Sequence, residues 1–121
     1  MSEDRLDRMV ERAATEVLRT PGSAKRLPAL LCRTWPDAPA LEVALALSIA
    51  ARSLELYFAE GSPSHRDAAD CWRMAALTAC EVHAARCLGL AHERAGDLLA
   101  YWQAQDARAE APPAEPEKSG A

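Results

Sequence analysis

The hydrophobic residues of this chain recur every three or four positions through long stretches that proline or glycine closes off. The central stretch, Asp67 to Leu90, reads DAADCWRMAALTACEVHAARCLGL. At ~100° per residue, Ala68, Cys71, Trp72, Ala75, Ala79 and Val82 share one side, and Asp67, Asp70, Arg73 and Glu81 the opposite side. Met74, Leu77, Ala85 and Leu88 flank that polar strip, so the apolar arc is wider than a surface helix needs. The pattern predicts a helix packed against more than one neighbour, with Trp72 buried against the helix before it.

Taken in order, the first predicted helix runs from Glu3 to Arg19, capped by Ser2 and ended by Thr20-Pro21-Gly22. Its apolar side holds Leu6, Met9, Val10, Ala13, Val17 and Leu18; Arg5, Arg8, Arg12 and Glu16 face the other way. Pro28 to Trp35 predicts a short element, with Leu30, Leu31 and Trp35 as a plug on the bundle. A third helix is expected over Ala40–Glu60, with Asp37 as its cap. It carries two apolar stripes on different sides, Leu41/Leu45/Ile49/Leu56 and Val43/Leu47/Ala50/Leu54/Phe58. Two stripes predict a central helix touched by neighbours on both sides.

Glu60-Gly61-Ser62-Pro63 is a turn, and Ser64-x-x-Asp67 has the spacing of a capping box for the helix that follows. Gly89 is tolerable inside that helix, whereas Ala95-Gly96-Asp97 has the form of a stop and a fresh cap. A last helix then holds Leu98, Leu99, Tyr101 and Trp102. The expected organisation is one all-helical domain over residues 1–107, followed by a Pro/Glu/Ala-rich tail over 108–121. The tail has no apolar period and is predicted to be disordered.

Composition narrows the fold. Half of the 121 residues are hydrophobic, much of that half is alanine, and only six residues are aromatic. Few β-branched residues and a high alanine content argue for an all-α domain: four main helices plus one short one, in a bundle or irregular array. Close helix contact must replace bulky filling. The net charge is −4, and the basic residues are scattered rather than gathered on one face, which disfavours nucleic acid as a partner. The charged start MSEDRLDRMVERA lacks the apolar region of a signal peptide. The longest nearly uncharged run, Ala38–Ala51, is too short for a membrane span. A cytoplasmic protein is expected, with its four cysteines reduced.

Leu88-Gly89-Leu90-Ala91-His92 followed by Gly96-Asp97 resembles the inter-helix turn of a tetratricopeptide repeat. In that family a leucine-glycine pair, a small residue and an aromatic precede a Gly-Asp or Gly-Asn turn. The resemblance covers about ten residues, with His92 in place of the aromatic and no second copy at the ~34-residue period. It implies a helix-turn-helix hairpin, not membership of the family.

The sharpest chemical pattern is Cys80-x2-His83-x3-Cys87, three soft ligands on one side of a helix. Cys80 and Cys87 lie seven positions apart, a rise of ~10.5 Å, so they do not share one ion with His83. A metal or thiol site would use His83 with Cys80 or with Cys87 and borrow further ligands. The plainer expectation is that both cysteines pack as small hydrophobes. Arg52 and Arg86 each interrupt an apolar line, either as snorkelling stems or as partner-binding arginines. Glu42, Glu55 and Glu81 are the candidate counter-charges.

No P-loop, GxGxxG, HExxH or ExxH pattern occurs, so no catalytic residue and no cofactor is assigned. The expected function is an adaptor or regulator that binds another protein through a helical face, with self-association open. The alternatives are a metal-binding or thiol-sensing bundle at His83, and a DNA-binding regulator built on the Gly96 hairpin.

Overall fold

The computed structural model describes residues 2–110. They form α1 (Ser2–Arg19), a 3-10 turn (Ala24–Arg26), α2 (Leu27–Thr34), α3 (Ala40–Tyr57), α4 (Pro63–Cys87) and α5 (Ala95–Glu110). No strand occurs among the described residues, and the fold is the all-α helical array that composition and periodicity predict. No described helix is long and apolar enough to cross a membrane. α5 continues through Glu110, past the domain boundary expected at residue 107. The rest of the predicted tail lies outside the described residues.

Local chemistry explains the ends of α4. The Ser62 hydroxyl accepts the His65 N–H at 3.2 Å, and Pro63 occupies the first helical position, where it forfeits no intrahelical bond. The cap therefore lies two residues ahead of the Ser64–Asp67 box expected from spacing. Asp67, expected on the polar side, is buried. Its Oδ1 accepts the Gly22 N–H at 3.0 Å, tying the α1–α2 connection to α4.

At the other end Gly89 adopts φ +74°, a left-handed conformation that glycine enters without a steric penalty. The Leu90 N–H reaches Ala85 O at 2.9 Å and the Gly89 N–H reaches Arg86 O at 3.0 Å. That pair of bonds is a Schellman stop. The long helix thus breaks at Gly89 and not at Gly96. The tight Gly96 turn on which a helix-turn-helix reading relied is absent.

Gly96 has a different task inside the first turn of α5. Its N–H donates to Pro36 O at 2.8 Å, and a Cβ there would sit 3.3 Å from the same oxygen. Beside it the Ala95 N–H donates to Ala38 O at 2.7 Å and the Ala40 N–H to Glu93 O at 2.8 Å. Pro39 and Arg94 form an antiparallel bridge. The loop before α3 is clasped in this way to the loop before α5. Asp97 steadies the second loop by accepting the Arg94 N–H at 3.1 Å.

The core gathers on one side of α3. Val43, Ala46, Leu47, Ala50, Ala51 and Leu54 are buried with Met9, Ala13 and Val17 of α1, Leu27, Leu31 and Cys32 of α2, Ala68, Cys71 and Ala75 of α4, and Leu98 of α5. Leu30 and Trp35 pack against this cluster, as expected of a plug. The most extensive pairing is α3 with α4. Their buried positions are mostly alanine, and nothing larger than valine is buried on α4. Such small side chains let two helix backbones approach closely.

The second apolar stripe of α3 is left largely uncovered among the described residues. Leu41, Leu45, Ile49 and Leu56 are exposed, against the expectation of neighbours on both sides. All four partner helices settle on the Val43–Leu47 side, and no described element covers the other.

Candidate functional site

The unpartnered stripe continues onto α4. By helical phase, Leu41, Leu45, Ile49, Arg52 and Leu56 form the outward row of α3. Trp72, Ala76, Ala79 and His83 form the adjoining row of α4. The rows meet where Leu41, Ala79, Val82 and His83 line one cavity of about 370 Å3, closed by Pro39, Arg86, His92 and Glu93. The fractional exposures are 57% for Leu41, 48% for Leu45, 36% for Ile49, 67% for Leu56 and 39% for Trp72. Isolated apolar residues on a surface are ordinary, but a contiguous row of large ones is not. Trp72, expected in the core, belongs to this face. The inward side of α4 is taken by Cys71, Ala75 and Thr78, and Trp72 falls to one side of that arc.

Arg52 and Arg86 stand at opposite ends of the face, and both are exposed. Neither is in an ion pair among the described residues, where the pairs are Arg5–Glu42 and Arg73–Asp70. Two of the three expected counter-charges are engaged elsewhere. Glu42 takes the Arg5 guanidinium at 2.6 and 3.1 Å, and that hydrogen bond raises the pKa of Arg5. Glu81 accepts the Trp102 indole N–H. Glu55 remains, one turn from Arg52, and Glu93 lines the same cavity as Arg86.

The thiol–imidazole pattern resolves into a pair. Cys87 Sγ lies 3.3 Å from His83 Nε2, four residues apart on the exposed side of α4. Cys80 is exposed without joining them, so the expectation that Cys80 and Cys87 pack as small hydrophobes fails for both. Among the described residues no three His, Cys, Asp or Glu side chains converge as a metal shell. Cys80, His83 and Cys87 are therefore not one site.

The remaining thiols do pack. Burial pushes Cys32 and Cys71 up to about 12, with Asp67 and Asp70 adding to the effect at Cys71. A buried neutral thiol in the core has no route to His83 on the surface, so Cys32 supplies no further ligand there.

Spacing missed the exposed face because both stripes of α3 are equally apolar. One signal did distinguish them: Arg52 falls within the Leu41–Leu56 row, and a fully packed stripe seldom holds an unpaired arginine. Comparison with family models, curated proteins and solved structures returns no match for this chain.

Proposed function

We propose that this chain is a helical protein-interaction module whose docking surface is the α3–α4 face. The observation that carries the reading is the row Leu41, Leu45, Ile49 and Leu56, exposed together with Trp72. Leaving so much apolar surface in water is unfavourable by ~25 cal/mol per Å2, and a protein partner recovers that energy. A large aromatic and two arginines on the same face are the residue types that dominate binding energy at interfaces. The function is binding rather than catalysis, and the four unpaired thiols fit a reducing compartment such as the cytoplasm.

The test compares capture by three forms of the tagged full chain in extract of the source cell, with an untagged copy co-expressed. These are the wild type, Leu45→Glu on the face, and Leu77→Glu on an exposed position of α4 outside it. Loss of a bound protein with Leu45→Glu alone supports the face. A bound set that Leu45→Glu leaves unchanged overturns it.

A second reading has its own observation, the 3.3 Å approach of Cys87 Sγ to His83 Nε2. An exposed thiol and imidazole at this spacing make a two-point grip on a soft metal ion, or a thiol primed by a base. Metal analysis of untagged protein, and alkylation rates of Cys87 with and without His83→Gln, decide it. Background metal together with an unchanged alkylation rate removes this reading.

A further inference from the structure

We propose that the α3–α4 face is covered by a second copy of this chain in a two-fold symmetric dimer. This deepens the docking-surface reading and rests on it.

The first ground is area. Leu41, Leu45, Ile49, Leu56 and Trp72 each leave between 36% and 67% of their surface exposed, together an apolar patch on the order of a few hundred Å2. A standard interface takes about 800 Å2 from each partner, a little over half of it apolar. The face therefore holds the apolar centre of one half-interface, with the arginines and glutamates left for the rim. Its α3 row recurs every three or four residues along an unbroken helix, the spacing with which one helix packs along another.

The second ground is charge. A chain of net charge −4 repels its own copy unless the contact surface escapes that excess, and this one does. One end of the face carries Arg86 with Glu93, the other Arg52 with Glu55, and none of the four is in an ion pair among the described residues. A two-fold axis through the middle of the face turns it end for end. Residue i then meets j while j meets i, and each end presents one arginine and one glutamate to an end that presents the same two. An acidic or a basic partner would satisfy only half of these groups. A second copy can satisfy all of them, and closed two-fold dimers are the commonest assembly of soluble chains.

The experiment uses the purified full chain. Sedimentation velocity and light scattering are run from low to high micromolar concentration, with circular dichroism as the check on folding. The expected result is a wild-type species of twice the 13.1 kDa monomer mass. Leu45→Glu should raise the dissociation constant at least a hundredfold, because symmetry buries the new charge twice. Leu77→Glu should leave the dimer intact. If Leu45→Glu fails to fold, Leu41→Glu at the more exposed end of the row takes its place. A wild type that stays monomeric throughout overturns the proposal, as does a dimer that neither face variant weakens. The extract capture separates this failure from that of the docking face. A monomer whose capture of another protein still depends on Leu45 keeps the face and loses the dimer, whereas a monomer with no face-dependent capture loses both.

Discussion

Among single residues, the cysteines divide most sharply. Cys32 and Cys71 are buried with thiols pushed up to about 12, while Cys80 and Cys87 are exposed. Two of the four thiols should react with an alkylating reagent in the folded protein, counted by mass spectrometry, and all four after denaturation. The pH consequence follows from the direction of the shift. An unfolded cysteine ionises near ~8.5, but the folded pair keep their protons until about 12. Their contribution to stability is intact below pH ~8.5 and lost as the pH rises toward 12, at ~1.4 kcal/mol per pH unit for each thiol. Urea unfolding at pH 7 and pH 10 should show a steeper loss for the wild type than for Cys32→Ala with Cys71→Ala. Equal losses would show that these thiols do not drive it. Trp72 is the residue on which spacing misled most. Full burial would make Trp72→Ala cost ~3–5 kcal/mol; at 39% exposure the expected loss is ~1–2 kcal/mol, measured by denaturant unfolding. Helical phase put Trp72 in the same arc as Cys71 and Ala75, and that arc was too coarse to separate the centre of a packed face from its edge.

Among the elements, all five helices were readable from periodicity and from the prolines and glycines between them. Their ends were less so, for a physical reason. Ser62 and Ser64 are both adequate caps, and the choice went to the one followed by proline, whose fixed φ suits the first helical position. Gly89 and Gly96 are both adequate stops, and only the backbone bonds show that Gly89 takes the left-handed turn. A Cβ at Gly96 would press on Pro36 O at 3.3 Å, a tight contact sixty residues away in sequence that no local pattern records. The α3–α4 seam follows from the alanine-rich composition. Ala75 is buried on it, and Ala75→Leu should force the helices apart and destabilise the chain by ~1–3 kcal/mol, read from the midpoint of urea unfolding. An unchanged midpoint would mean that the seam has slack.

At the level of the whole molecule, an array of four helices around α3 was foreseeable, but the side of α3 left bare was not. Two apolar stripes announce two contacts, and whether the second contact lies in the same chain depends on how many helices remain to supply it. Here α1, α2, α4 and α5 all join one core, so the second stripe turns outward and the candidate site is that remainder. Arg52 was the local hint, and the fold supplied the rest. The clasp between the two loops bears on how the molecule behaves in time. Loops ordinarily open on their own, without waiting for the core. The Ala40, Ala95 and Gly96 amides are hydrogen-bonded across the gap between the connections to α3 and α5, and Ala40 and Ala95 are buried there. These amides can exchange with solvent only when the start of α3 parts from the start of α5, which disturbs the helices at the centre of the core. In deuterium exchange they should keep their protons as long as the interior of α3 does, while the amides around Gly61 exchange within the dead time. That end of the molecule should open as one unit with its core.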